Sequence, residues 1–325
     1  MEKLINKALK KLRKDCEKNV QKFKNGTSAF NDFDNDWSSI IDAEEDFQKY
    51  LSNEVDACYA WITLVESGRD YYGNFFLEGL IREELFMPSL VRAADLMDKY
   101  VSLAIPMIEA YRNDHCLWDA DFAGLFLGVN MMLGKWDTAE RITKTYHHYL
   151  SDKERPEFVS IGDDRWRSPW FLFNLMCEQL GLEYDQANVD YPKNMSPYNE
   201  VQKNWQEPSL LEFDKLVYKM ADYHLVNSFD NYVEGMSEDD YYDAEGEFEG
   251  MRHGFTPLEI MAVLRLREKH GIENPKKFMH PLMNQPLAQL PKLENIPAPK
   301  PYPIVDEVLS KIFAKHPEME KYLSL

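Results

Sequence analysis

The amino-acid sequence predicts an all-α fold: a multi-helix bundle of antiparallel helix pairs with a proline-rich C-terminal strap. Three observations predict it. Apolar residues recur at helical spacing in segment after segment, several of these segments carry helix start and stop residues, and alternating runs closed by Asn-Gly or Asp-Gly turns are missing. With 44% hydrophobic and 29% charged residues over 325 positions, the chain is too apolar for disorder and long enough for a large core.

Residues 38–66 and 74–100 show mixed polarity at a 3.6-residue period and read as amphipathic helices. The stretch from Phe122 to Leu133 is apolar all round, so it reads as a buried central helix, with Gly124 and Gly128 allowing a neighbouring helix to come close. Asp137-Thr138-Ala139-Glu140 has the form of a capping box opening a helix that turns Ile142, Tyr146 and Tyr149 inward. Ser168-Pro169-Trp170 reads as a proline-initiated start of another buried helix.

Residues 186–208, with Pro192, Asn194, Pro197, Asn199 and Pro208, read as irregular. They divide the chain into an N-terminal helical region, 1–185, a linker, 186–207, and a C-terminal helical region, 208–325, packed as one body. Ser209-Leu210-Leu211-Glu212 opens a helix with Phe213, Leu216, Val217, Met220 and Leu225 on its stripe, and His224 beside that stripe reads as a hydrogen-bonded core histidine. Thr256-Pro257-Leu258-Glu259 opens the next helix as a capping box. Leu258, Met261 and Leu264 face the core, Arg265, Arg267, Lys269 and His270 gather at its C-terminal end, and Gly271 stops it. Eight prolines between Pro275 and Pro303 then exclude a long helix. Phe278, Leu282, Met283, Leu287 and Leu290 indicate that this stretch packs on the body, rather than serving as a polyproline ligand, and a last helix spans 303–315. No 34-residue period supports a regular helical solenoid.

No stretch approaches the roughly 20 apolar residues of a membrane helix, and the N-terminus lacks the apolar core of a secretory signal. Cys16, Cys58, Cys116 and Cys177 are widely spaced and read as buried free thiols of a reducing, cytoplasmic setting. Signatures of phosphate loops, dinucleotide folds, serine hydrolases and zinc proteases are absent, and no cofactor is expected. Asp32, Asp34 and Asp36 begin like a calcium loop. Trp37 and Ser38 follow where its glycine belongs, and Ala43 stands where the bidentate glutamate belongs. Asp114, His115, Cys116, Asp119 and Asp121 have ligand chemistry, yet no second histidine motif completes a metal site, and they read as a solvated acidic helix start. The alternative function is an all-α metal-dependent enzyme using Asp114, His115, Asp119 and Asp121. Adjacent His147 and His148 point about 100° apart on a helix, a poor arrangement for joint ligation.

Charge is more informative. The net charge is −19, but residues 1–24 carry +6, so the remainder carries −25. Such a body disfavours direct nucleic-acid binding and adhesion to an anionic membrane. Between residues 230 and 250 lie Asp230, Glu234, Glu238, Asp239, Asp240, Asp243, Glu245, Glu247 and Glu249, with no Lys or Arg. Tyr232, Met236, Tyr241, Tyr242 and Phe248 are interleaved with them. Carboxylates attract a cationic protein from a distance and buried rings slow its departure. We therefore select Glu238, Asp239, Asp240, Tyr241, Tyr242, Asp243, Glu245 and Glu247 as the partner-binding residues. A second acidic patch lies at 32–56.

The run FTPLEIMAVLRLREKHGIENPKKFMHPLMNQPLAQLP, residues 255–291, resembles the helix and following proline-rich segment of bacterial polymorphic-toxin immunity proteins, in particular the immunity protein 49 family. That resemblance implies a non-enzymatic cytoplasmic antidote that binds a cognate basic toxin, often a nuclease. It supplies no set of binding residues. A helical scaffold for another basic protein would use the same surface.

Overall fold

A computed structural model describes residues 35–110, 120–150, 167–186, 191–228 and 255–317. They form ten α-helices and no strand, so the all-α expectation holds among the described residues. Helices α1 (Asn35–Leu51) and α2 (Ala57–Arg82) are separate, although their periodicity runs through the junction. The Asp56 carboxylate accepts the Tyr59 N–H at 2.9 Å and starts α2 afresh. Glu83 then ends α2 in the left-handed conformation (φ 57°), and α3 (Met87–Ala110) returns against it. The Trp61 indole N–H donates to the Tyr100 carbonyl at 2.8 Å and the two rings stack 4.5 Å apart, locking α2 to α3 through one buried pair.

Helices α4 (Ala120–Met132), α5 (Trp136–Leu150) and α6 (Arg167–Leu180) build the middle of the molecule. Residues 126–133 are buried throughout, and Asn130, the polar side chain among them, donates from Nδ2 to the Phe126 carbonyl at 2.8 Å. A Cβ added to Gly128 would meet Leu172 Cδ1 of α6 at 2.9 Å, so this glycine does permit a close helix approach. Helix α5 starts one residue before the expected capping box, after the left-handed Gly134 (φ 69°). Its first turn is closed by the Ala139 N–H on the Lys135 carbonyl, so Asp137 is a first-turn anion rather than the cap. Arg141 ties α5 to α3 with Nε and Nη2 on Asp98 Oδ1, at 3.2 and 2.6 Å.

The stretch read as a linker holds α7 (Tyr198–Asn204), and Tyr198, Val201 and Trp205 are buried. Ser209 caps α8 (Leu210–Val226) as expected, accepting the Glu212 N–H at 3.4 Å. Helix α9 (Leu258–Lys269) packs against α4, α6 and α8 and is buried from Leu258 to Arg267. Gly271, at φ 70°, follows it as the stop signal demands.

The arginines of α9 lie toward its C-terminal end as expected and do more there: Arg265 and Arg267 are buried and serve as multi-pronged donors to backbone oxygens. Arg265 Nε reaches the Met132 carbonyl at the end of α4 at 2.9 Å, and its Nη2 reaches the Pro291 carbonyl. Arg267 donates to the carbonyls of Trp205, Glu207 and Glu273 and to Asn274 Oδ1, while its guanidinium lies 3.8 Å from the centroid of the Phe213 ring.

Between α9 and α10 (Pro303–Lys315) the proline-dense chain forms three short 3₁₀ turns. Leu282, Met283, Leu287 and Ala288 are buried there, and residues 297–301 are exposed. Helix α10 has the expected limits and lies on α1. Lys311 Nζ donates to the carbonyls of Tyr50 and Leu51, at 2.6 and 2.8 Å, where α1 leaves its last acceptors without helical partners. No helix among the described residues is long and apolar enough to cross a membrane. The free-thiol reading holds for buried Cys177 and fails at Cys58, which is disulfide-bonded.

Candidate functional site

The selected residues Glu238, Asp239, Asp240, Tyr241, Tyr242, Asp243, Glu245 and Glu247 lie outside the described residues, as do Asp114, His115, Cys116 and Asp119; Asp121 sits in α4. Among the described residues, no group of three or more His, Cys, Asp or Glu side chains could hold a metal ion. What the structure does define is the frame on which the acidic stretch is mounted, since α8 delivers the chain into it and α9 receives the chain from it.

Both ends of that frame are sealed. On α8, Phe213, Val217, Met220, Ala221 and His224 form the inward stripe, and the Ser228 hydroxyl donates to the His224 carbonyl at 2.6 Å, closing the last turn. On the other side Phe255 and Thr256 are buried before α9 begins. The expected capping box is not formed: Pro257 occupies the cap with no side-chain hydrogen bond. Glu259, instead of reaching back to the helix start, points into the core, where Oε1 lies 2.9 Å from His224 Nδ1. The side chains are 1% and 3% exposed, so the bond is formed out of water. It joins the last turn of α8 to the first turn of α9.

A second histidine extends the cluster. His280, fully buried, accepts the Leu282 N–H on Nδ1 at 3.2 Å and lies 3.2 Å from Asp222 Oδ1 through Nε2. Because a backbone N–H can only donate, Nδ1 is unprotonated and Nε2 carries the hydrogen toward the carboxylate. Burial is the main force holding this imidazole below its usual range; nearby His224 adds to it and Asp222 opposes it. Just upstream, the Met279 N–H donates to both oxygens of the buried Asp214 carboxylate, at 3.2 and 3.0 Å. Burial raises the Asp214 pKa, and the bond from Met279 opposes the rise.

The outer face of α8 has a different chemistry. Glu212 pairs with Lys215, and Glu200 of α7 pairs with Lys219, so the carboxylates there are locally compensated. Val226, at the edge of the acidic stretch, is 70% exposed. Compared with family models, with curated proteins and with solved structures, the chain gives no match.

The sequence reading assigned Glu259 to a local cap because the four-residue pattern fits, and so missed its partner across the core. A signal was available: Glu259 shares a face with Val263 and Leu266, and His224 shares one with Val217 and Ala221. A carboxylate on one apolar stripe and an imidazole on another are each expensive alone and satisfied together.

Proposed function

We propose that this protein is an immunity protein: a non-catalytic antidote that binds a cognate antibacterial toxin and blocks it sterically and electrostatically. The toxin is a basic protein, of nuclease type, and the encounter takes place in the cytoplasm. One observation carries the reading. Nine carboxylates without a single Lys or Arg, interleaved with aromatic residues, occupy 230–250 between two helix ends held together by a buried pair. Nearby, Glu212 of α8 and Glu200 of α7 are each matched by a lysine, whereas residues 230–250 contain no Lys or Arg at all.

A nuclease must present cationic groups where it holds phosphates, and an acidic surface competes for those groups while steering rapid association. Exposed Val226 adds apolar area beside it. The resemblance of residues 255–291 to toxin immunity proteins points the same way. The test is charge reversal: Asp239→Lys, Asp240→Lys and Asp243→Lys combined should slow association with the co-purifying toxin, flatten its salt dependence and abolish protection of cells. Equal binding and protection by a folded triple variant would overturn the assignment.

A further inference from the structure

We propose that His280 is a proton-operated latch: as a neutral imidazole it fastens residues 278–284 to α8, and protonation at Nδ1 releases them. The geometry carries this. His280 is fully buried, its Nδ1 already accepts a hydrogen bond from the Leu282 backbone, and its Nε2 faces Asp222. Adding a proton to Nδ1 sets two donors against each other and places a cation where water does not reach.

The groups facing the ring decide the sign. From α8 come Asp222, His224 and the Tyr218 ring, whose centroid lies 5.0 Å away in an edge-to-face arrangement; from α9, Glu259 acts through its bond to His224. Only Asp222 directly favours the imidazolium, and its side chain is 45% exposed, so water screens it. A base harder to protonate folded than unfolded contributes stability in full above the ordinary histidine pKa of about 6.5, and that contribution is lost as pH falls below it.

The released unit is local. Asn284 bonds back to the Phe278 N–H and carbonyl and to the His280 carbonyl, so residues 278–284 hold together as one turn. Their polar ties to α8 are the His280–Asp222 contact and the Met279 N–H on Asp214, beside the Tyr218 ring packed on His280. Opening uncovers Leu282 and Met283, which are fully buried when the turn is seated. The latch responds to acid whatever partner the protein has, so its test is independent of the toxin reading.

Hydrogen–deuterium exchange of the full chain at pH 7.5 and 5.5, corrected for intrinsic rates, reads the latch directly. Protection of residues 278–284 should fall severalfold, up to the roughly tenfold limit set by one linked proton, at the lower pH, while that of α5 stays constant. His280→Gln, whose amide can accept from Leu282 and donate to Asp222, should keep the turn closed at both pH values. Imidazole nitrogen NMR of the unmutated protein supplies a second measurement that needs no variant. His280 should be the Nε2–H tautomer at neutral pH and titrate below 6.5, in step with the loss of protection. Protection that does not change with pH, a folded His280→Gln variant that opens equally in acid, or a His280 titration at or above 6.5 would each overturn the proposal.

Discussion

Glu259 Oε1 lies 2.9 Å from His224 Nδ1, and this contact, closed to water on both sides, joins the last turn of α8 to the first turn of α9. A buried pair of this type binds its members mutually: each satisfies a polar group that would otherwise be stranded.

Its energetics should therefore be strongly non-additive. Glu259→Leu alone or His224→Leu alone should destabilise the fold by about 3 kcal/mol or more, because each strands its partner. The double variant should lose less than the sum of the two. Urea unfolding of the four proteins measures the coupling, and simple additivity would show that the two side chains act separately.

Arg267 makes a comparable prediction with backbone acceptors. Its guanidinium satisfies Trp205, Glu207, Glu273 and Asn274 at once, and burial lowers its pKa. A lysine ammonium cannot span these oxygens, so Arg267→Lys should lose stability by about 2 kcal/mol or more despite keeping the charge. Thermal unfolding of the two proteins at equal pH makes the comparison. An unchanged midpoint would mean that the backbone oxygens find other donors.

Gly128 tests the close approach of α4 and α6. Gly128→Val should cost about 1–3 kcal/mol by forcing Leu172 aside. Combining it with Leu172→Ala should recover part of that loss, since the cavity accepts the added methyl groups. A double variant no better than the worse single one would contradict the contact.

The cysteines differ in reactivity for distinct reasons. Burial pushes the Cys177 thiol up to about 12, leaving roughly one part in ten thousand as thiolate at pH 8. In the native protein iodoacetamide should leave Cys177 unlabelled, and denaturant alone should expose it. Cys58 should stay unlabelled until a reductant is added as well, because its sulfur is disulfide-bonded. Peptide mapping after each treatment separates the two cases.

What could be read from the sequence was local chemistry. Ser209 caps the helix it was expected to cap, Gly271 stops α9, and the proline at 303 sets the start of α10, because each acts on its own neighbours. The break at Glu83 went unread, since a left-handed glutamate carries no glycine or proline to announce it. Glu259 leaves the cap its pattern fits for the converse reason, a better partner distant in the chain, and Arg265 and Arg267, at the helix end as expected, find there distant backbone acceptors that no local rule announces. The acidic stretch is visible in composition alone, whereas its frame depends on a pairing between two helices that no local pattern specifies.

Lys311 anchors α10 on the carbonyl end of α1. During synthesis on the ribosome, α1 emerges long before the residue that finishes its terminus. Until position 311 has cleared the exit tunnel, the α1 surface that α10 will cover is open to solvent and to chaperones. Completion of the native state is thus timed by translation, and a chain stalled before α10 would present that apolar face to the quality-control machinery.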